Sequence, residues 1–134
     1  MASRLVLDTS AYAHFRARHR GVVDLIAKAD VVQVPVTALG ELEAGFRLGS
    51  RLDENRATLA QFLSEAWVSV LLITEDVARQ YGKIFASLRR AGTPVATNDI
   101  WIAAIAIDAG SHLVTFDGDF ARVEGLDHTL LVAE

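Results

Sequence analysis

The chain has 134 residues, 51% of them hydrophobic, with a net charge of −4 and no cysteine. That length suits one domain, residues 1–134, with a core of its own; the missing thiols exclude disulfide frameworks, thiolate zinc sites and cysteine nucleophiles, and the acidic balance excludes a broadly basic nucleic-acid binder. No apolar run approaches the ~18 residues that cross a bilayer, and Arg4 and Asp8 stand where a signal peptide keeps its apolar segment, so a cytoplasmic protein is expected.

In chain order, Leu5-Val6-Leu7 reads as a short strand that stops at Asp8-Thr9-Ser10, a cluster of turn and N-cap residues leading into Ala11-Tyr12-Ala13-His14-Phe15. In a parallel sheet this handover lies at the carboxyl edge, where such sheets bind their ligands. Arg16-Ala17-Arg18-His19-Arg20 is the most basic stretch in an acidic chain and reads as a solvated loop able to hold phosphates. Gly21 to Ala29 is a short amphipathic helix, and Val31 to Val36 a second strand with Pro35 at its end. Thr37 to Leu48 is a helix with Leu39, Leu42 and Phe46 as its stripe. Glu41 and Glu43 fall on opposite sides of Leu42, and periodicity does not say which faces inward. Gly45 inside this helix predicts a close backbone approach.

Leu52 to Ala66 is a further amphipathic helix, with Arg47, Arg51 and Arg56 around its start as a basic rim or as partners of Asp53 and Glu54. Trp67 to Ile73 is a third strand. Thr74 to Arg90 is a long helix with Val77, Tyr81, Ile84 and Leu88 inward. Then comes Thr97-Asn98-Asp99 followed by eight consecutive apolar residues, Ile100 to Ile107. Alanine content, Pro94 before it and Gly110 after it predict a helix capped by Thr97 or Asn98 and buried on every face, with Asp99 in its first turn. Ser111 to Thr115 is a fourth strand ending in Phe116-Asp117-Gly118-Asp119, and Thr129 to Ala133 a fifth. The four histidines, His14, His19, His112 and His128, show no metal-ligand spacing.

This alternation predicts an α/β fold, three α/β/α layers around a parallel sheet of about five strands. Strand ends and the helix starts after them share one edge in that architecture, so Asp8, Asp99 and Asp117 meet there, joined by one glutamate of the Thr37 helix. Crowded carboxylates repel and raise one another's pKa unless a hard divalent cation holds them. Mg²⁺ or Mn²⁺ on such a group, as one ion or a pair, suggests phosphodiester hydrolysis.

Leu7-Asp8-Thr9-Ser10, Glu41-Leu42-Glu43-Ala44-Gly45, Asn98-Asp99-Ile100-Trp101-Ile102-Ala103-Ala104 and Thr115-Phe116-Asp117-Gly118-Asp119-Phe120, in that order, resemble the PIN-domain ribonucleases, specifically the VapC toxins of toxin–antitoxin pairs. The resemblance runs essentially end to end. It implies a PIN-like fold and a metal site of Asp8, Glu41, Asp99 and Asp117, and so selects Glu41 over Glu43. Asp119 matches a more variable, accessory acid, and Thr9 and Thr115 match hydroxyls that orient carboxylates or water. It further implies a Mg²⁺-dependent endoribonuclease that dimerises and is silenced by a cognate VapB-type antitoxin. Arg16, Arg18 and Arg20 are then candidate RNA-phosphate contacts. The opposing expectation is a catalytically inactive PIN fold that binds RNA or a protein, its acids serving as caps.

Two other aspartate-based classes fit less well. A response-regulator domain expects adjacent acids after the first strand and a late lysine, but Thr9-Ser10 follows Asp8 and no lysine follows Lys83. A haloacid-dehalogenase-like phosphatase expects a second aspartate where Ser10 stands.

Overall fold

The structure is a computed structural model and describes residues 3–133. Five strands form one parallel sheet: β1 (Arg4–Leu7), β2 (Val31–Pro35), β3 (Val68–Leu71), β4 (His112–Thr115) and β5 (His128–Leu130), in the order β3-β2-β1-β4-β5. Six α-helices flank it: α1 (Thr9–Arg16), α2 (Arg20–Lys28), α3 (Val36–Leu48), α4 (Leu52–Leu63), α5 (Glu75–Ala91) and α6 (Thr97–Ala109). A single 3-10 turn follows β4 at Gly118–Arg122. The three-layer α/β/α expectation holds.

Burial explains the strand order. Leu5, Val6 and Leu7 of β1, Val32 and Val34 of β2, and Leu113 and Val114 of β4 are buried, as parallel strands covered on both faces require. The outer strands β3 and β5 are shorter of core and partly exposed. From β1 the chain winds one way to β2 and β3, then returns to the other side for β4 and β5. The crevice between β1 and β4 is therefore the point where the order reverses, the usual ligand position in an open sheet.

Helix α6 carries much of the core, with Ile100, Ile102, Ala103, Ala104, Ile105 and Ala106 all buried. Each isoleucine contributes about 1.5–3 kcal/mol by leaving water. Trp101 is half-buried and stacks on Tyr81 of α5 with ring centroids 4.1 Å apart, which keeps both aromatics at the core margin. Gly110 ends α6 in left-handed backbone (φ 64°), and Ser111 N–H reaches back to Ala106 O at 3.1 Å, a closure that glycine makes without strain.

Several boundaries differ from the sequence expectation. The N-cap of α6 is Ala96, with no side-chain cap bond, rather than Thr97 or Asn98. Helix α4 stops at Leu63, because Ser64 closes it by donating its N–H to Ala60 O and Gln61 O. Strands β3 and β5 pair over fewer residues than their apolar runs suggested. Gly45 faces open space, with nothing within 4 Å of where a Cβ would lie, so the close approach expected there is absent. No helix is long and apolar enough to cross a membrane among the described residues.

Candidate active site

Asp8 follows the last residue of β1 and caps α1. Its backbone is extended (φ −78°, ψ −178°), so Oδ1 accepts the N–H of Ala11 at 2.8 Å, one of the free donors of the first helical turn. The same oxygen accepts from Ser10 Oγ at 2.8 Å, and Oδ2 accepts from Thr115 Oγ1 at the end of β4. Asp8 is only 4% exposed. Burial pushes its carboxyl above the ordinary range, the hydrogen bonds from Thr115, Ala11 and Ser10 pull it back, and Asp117 adds a further upward push. Capping and site membership are one conformation here.

Ser10 was not singled out from the sequence. Its hydroxyl donates to Asp8 and accepts the N–H of Phe116 at 3.2 Å, tying the end of β1 to the end of β4. The signal lay in Asp8-Thr9-Ser10 itself: three hydroxyl or carboxylate side chains in a row exceed what one N-cap needs.

Thr115 performs a similar double task. While donating to Asp8, its Oγ1 accepts the N–H of Asp117 at 3.0 Å, and Asp117 Oδ1 accepts the N–H of Asp119 at 2.9 Å. Asp117 is thus the cap of the 3-10 turn, and Asp119 is carried round to the same side. Glu41 comes from α3 and accepts from Thr9 Oγ1 at 2.8 Å. Asp99 comes from the first turn of α6 and is half-buried.

Asp8, Glu41, Asp99 and Asp117 line one open cavity of about 290 Å³ with Thr9, Ser10, Ala13 and Ile102. One carboxylate oxygen from each of Asp99, Asp117 and Asp119 lies within 4.8 Å of the other two. Asp119, expected as an accessory, is therefore in the closest trio, while both oxygens of Asp8 already hold hydrogen bonds. Burial, then the charges of Asp117, Glu41, Asp8 and Asp119, pushes the Asp99 carboxyl up to about 6. Among the described residues the cluster's ion pair is with Arg122, whose Nη1 is 3.5 Å from Asp119 Oδ1. All-oxygen donors crowded to this degree fit a hard divalent ion.

Glu43 has no part in this. It meets Arg56 and Arg47, and those guanidiniums hold its carboxyl at about 2. Arg51 pairs with Glu54 at 2.5 Å, so the three arginines near α4 are paired rather than a free basic rim. The histidines are structural: His14 hydrogen-bonds Ser10 O, His112 Thr129, and His128 Leu126 O. Arg16, Arg18 and Arg20 lie outside the acid cavity, lining a separate hollow.

An acid cluster at the switch point of a doubly wound parallel sheet places this chain among α/β proteins whose ligand site is a carboxylate-lined pocket able to hold a divalent cation, and comparison with known proteins narrows the class. The PIN domain family model matches residues 5–126. Ribonuclease VapC5 of Mycobacterium tuberculosis is 32% identical over 120 residues, 90% of this chain and 87% of that protein. The structure of VapBC-5 from Mycobacterium tuberculosis, a member of the VapBC family of toxin-antitoxin systems, is 30% identical, with 98% of this chain and 99% of that chain covered and a TM-score of 0.72. DNA-bound VapBC from Salmonella typhimurium superposes at a TM-score of 0.83, with 26% identity over 96% of this chain and 98% of that one. The chain belongs to the PIN-domain family, among its VapC ribonucleases.

Proposed function

We propose that this protein is the toxin of a toxin–antitoxin pair, an endoribonuclease that uses Mg²⁺, or Mn²⁺ in its place, to hydrolyse RNA phosphodiester bonds in the cytoplasm. The observation that carries this reading is the convergence of Asp8, Glu41, Asp99 and Asp117, from four separate elements, on one cavity. Asp99, Asp117 and Asp119 would hold the ion, with Asp8 and Glu41 completing the acid wall. A divalent ion bound there lowers the pKa of a water and neutralises charge on the scissile phosphate. The chain's own groups do the positioning: Thr9 orients Glu41, and Thr115 and Ser10 fix the Asp8 carboxylate. Ionised carboxylates then accept the proton of the attacking water.

RNA as substrate is supported by the relative named a ribonuclease, and a cognate VapB-type antitoxin by the neighbour described as part of a toxin-antitoxin system. Exposed apolar side chains such as Leu72 and Val132 (63% and 79% exposed) support covering by that antitoxin or by a second copy in a homodimer. The test compares the protein with its Asp99→Asn variant on total cellular RNA, in Mg²⁺ and in EDTA. Cleavage by the parent in Mg²⁺ alone is expected, and equal cleavage by both proteins overturns the reading. RNA binding without cleavage by either identifies a binding module instead.

A further inference from the structure

The basic stretch between α1 and α2 is a shaped turn. Arg16 ends α1, Arg18 stands in left-handed backbone (φ 64°), and Arg20 opens α2 behind its cap His19. An arginine in that region is strained, since its Cβ crowds the neighbouring backbone. The bend is tied down on both sides: Arg18 and His19 donate their N–H groups to Phe15 O and His14 O, at 3.0 and 2.9 Å. His14 stacks on Phe116 with centroids 3.8 Å apart, and His19 meets the same ring edge-on at 4.9 Å. Phe116 is the residue before Asp117. The turn is therefore docked, through its two histidines, on the residue that precedes Asp117.

Arg16, Arg18 and Arg20 line a hollow of about 600 Å³ with Phe15, Val23 and Asp24. The Arg16 guanidinium lies over the Phe15 ring at 4.7 Å, which steadies it as one side of the hollow. Among the described residues none of the three forms an ion pair, whereas Arg47, Arg51, Arg56, Arg79 and Arg122 all do. Guanidiniums left unpaired side by side, in a chain of net charge −4, match an anionic partner with forked acceptors.

We propose that this turn grips the backbone phosphates of single-stranded RNA and delivers the strand past Phe116 to the acid cavity, an inference that rests on the ribonuclease reading above. Phosphates are repelled by the carboxylates they must reach, and a cationic handhold on the turn offsets that repulsion. An acidic protein segment would pair with the same guanidiniums but has no phosphodiester to bring to the cavity, so nothing offsets its repulsion there. Arg18 and Arg20 supply the free forks, and Arg16 the fixed wall.

The test titrates a labelled oligouridine onto the Asp99→Asn protein over a range of salt, with and without Arg18→Asn and Arg20→Gln. Asparagine keeps the left-handed backbone at low cost, and unchanged melting temperatures verify the fold. Losing two phosphate contacts is expected to flatten the log affinity against log salt slope by about 1.4 and to weaken binding by about tenfold. Arg20→Lys, which keeps the charge, should retain the slope. An unchanged slope and affinity in the double variant overturns the proposal, as does lost binding of poly-glutamate with RNA binding intact. If the parent protein still cleaves RNA in Mg²⁺ beside an unchanged slope, only this proposal falls; if it cleaves nothing, the ribonuclease reading falls and takes this one with it.

Discussion

Glu41 and Glu43 stand two residues apart on α3 and meet opposite electrostatic surroundings. Glu43 lies between Arg47 and Arg56, and its charge is balanced on the spot. Glu41 faces Asp8, Asp99 and Asp117 across a cavity and receives only a hydroxyl. Within one helix, then, the chain builds a neutralised surface network and an unneutralised acidic wall. The difference teaches where to look for chemistry. Balanced charge holds elements in place, and charge left unbalanced at a cost in stability is kept for something that binds there.

Asp99 and Glu43 mark the extremes, at about 6 and about 2. The largest effect is expected at Asp99→Asn, which removes one oxygen donor of the closest trio. RNA cleavage should fall by at least about a hundredfold, the scale of losing metal-supplied transition-state stabilisation, as measured by gel or fluorescence assay. Next is Thr115→Val, which leaves a buried Asp8 oxygen without its donor and frees the Asp117 N–H. A loss of about 1–3 kcal/mol in denaturant unfolding is expected, with a parallel drop in cleavage.

The pH dependence of the metal-free protein separates the two regions more finely. The folded pKa of Asp99 lies above its unfolded value, so between about 4 and 6 the folded state binds more protons than the unfolded one. Stability therefore falls as pH rises through that window. The melting temperature without metal should drop from pH 5 to pH 7.5, Mg²⁺ should restore it, and Asp99→Asn should flatten the profile. Glu43 has the reverse sign: its depressed pKa favours the fold above the unfolded value and the benefit is lost in acid. Its exposure makes Glu43→Gln the smallest effect, with cleavage at the parent rate and a slight fall in melting temperature. A large loss of cleavage there would erase the distinction between the two glutamates.

Much of this was legible in the amino-acid order. Alternating apolar strands and amphipathic helices gave the parallel α/β layers, because burial on both faces of a sheet demands continuous runs such as Leu5-Val6-Leu7 and a helix such as α6 with no polar side. Acids just after strands and at a helix start pointed to one edge, since every parallel strand ends there. The distribution of charge partners was less accessible. Arg56 is 13 positions from Glu43, and nothing local says that it will neutralise that glutamate rather than Asp53.

Sequence alone, then, determined the element types, the edge on which Asp8, Asp99 and Asp117 gather, and the family pattern that marks Glu41. Only the tertiary structure decided that Glu43 is spent on arginines, that Asp119 joins the closest trio, and that Ser10 and Thr115 lock Asp8 between β1 and β4. The physical reason is range. Periodicity and capping act over a few residues and are written locally, whereas the field at a carboxylate depends on groups within several ångströms in space, brought there from a hundred positions away.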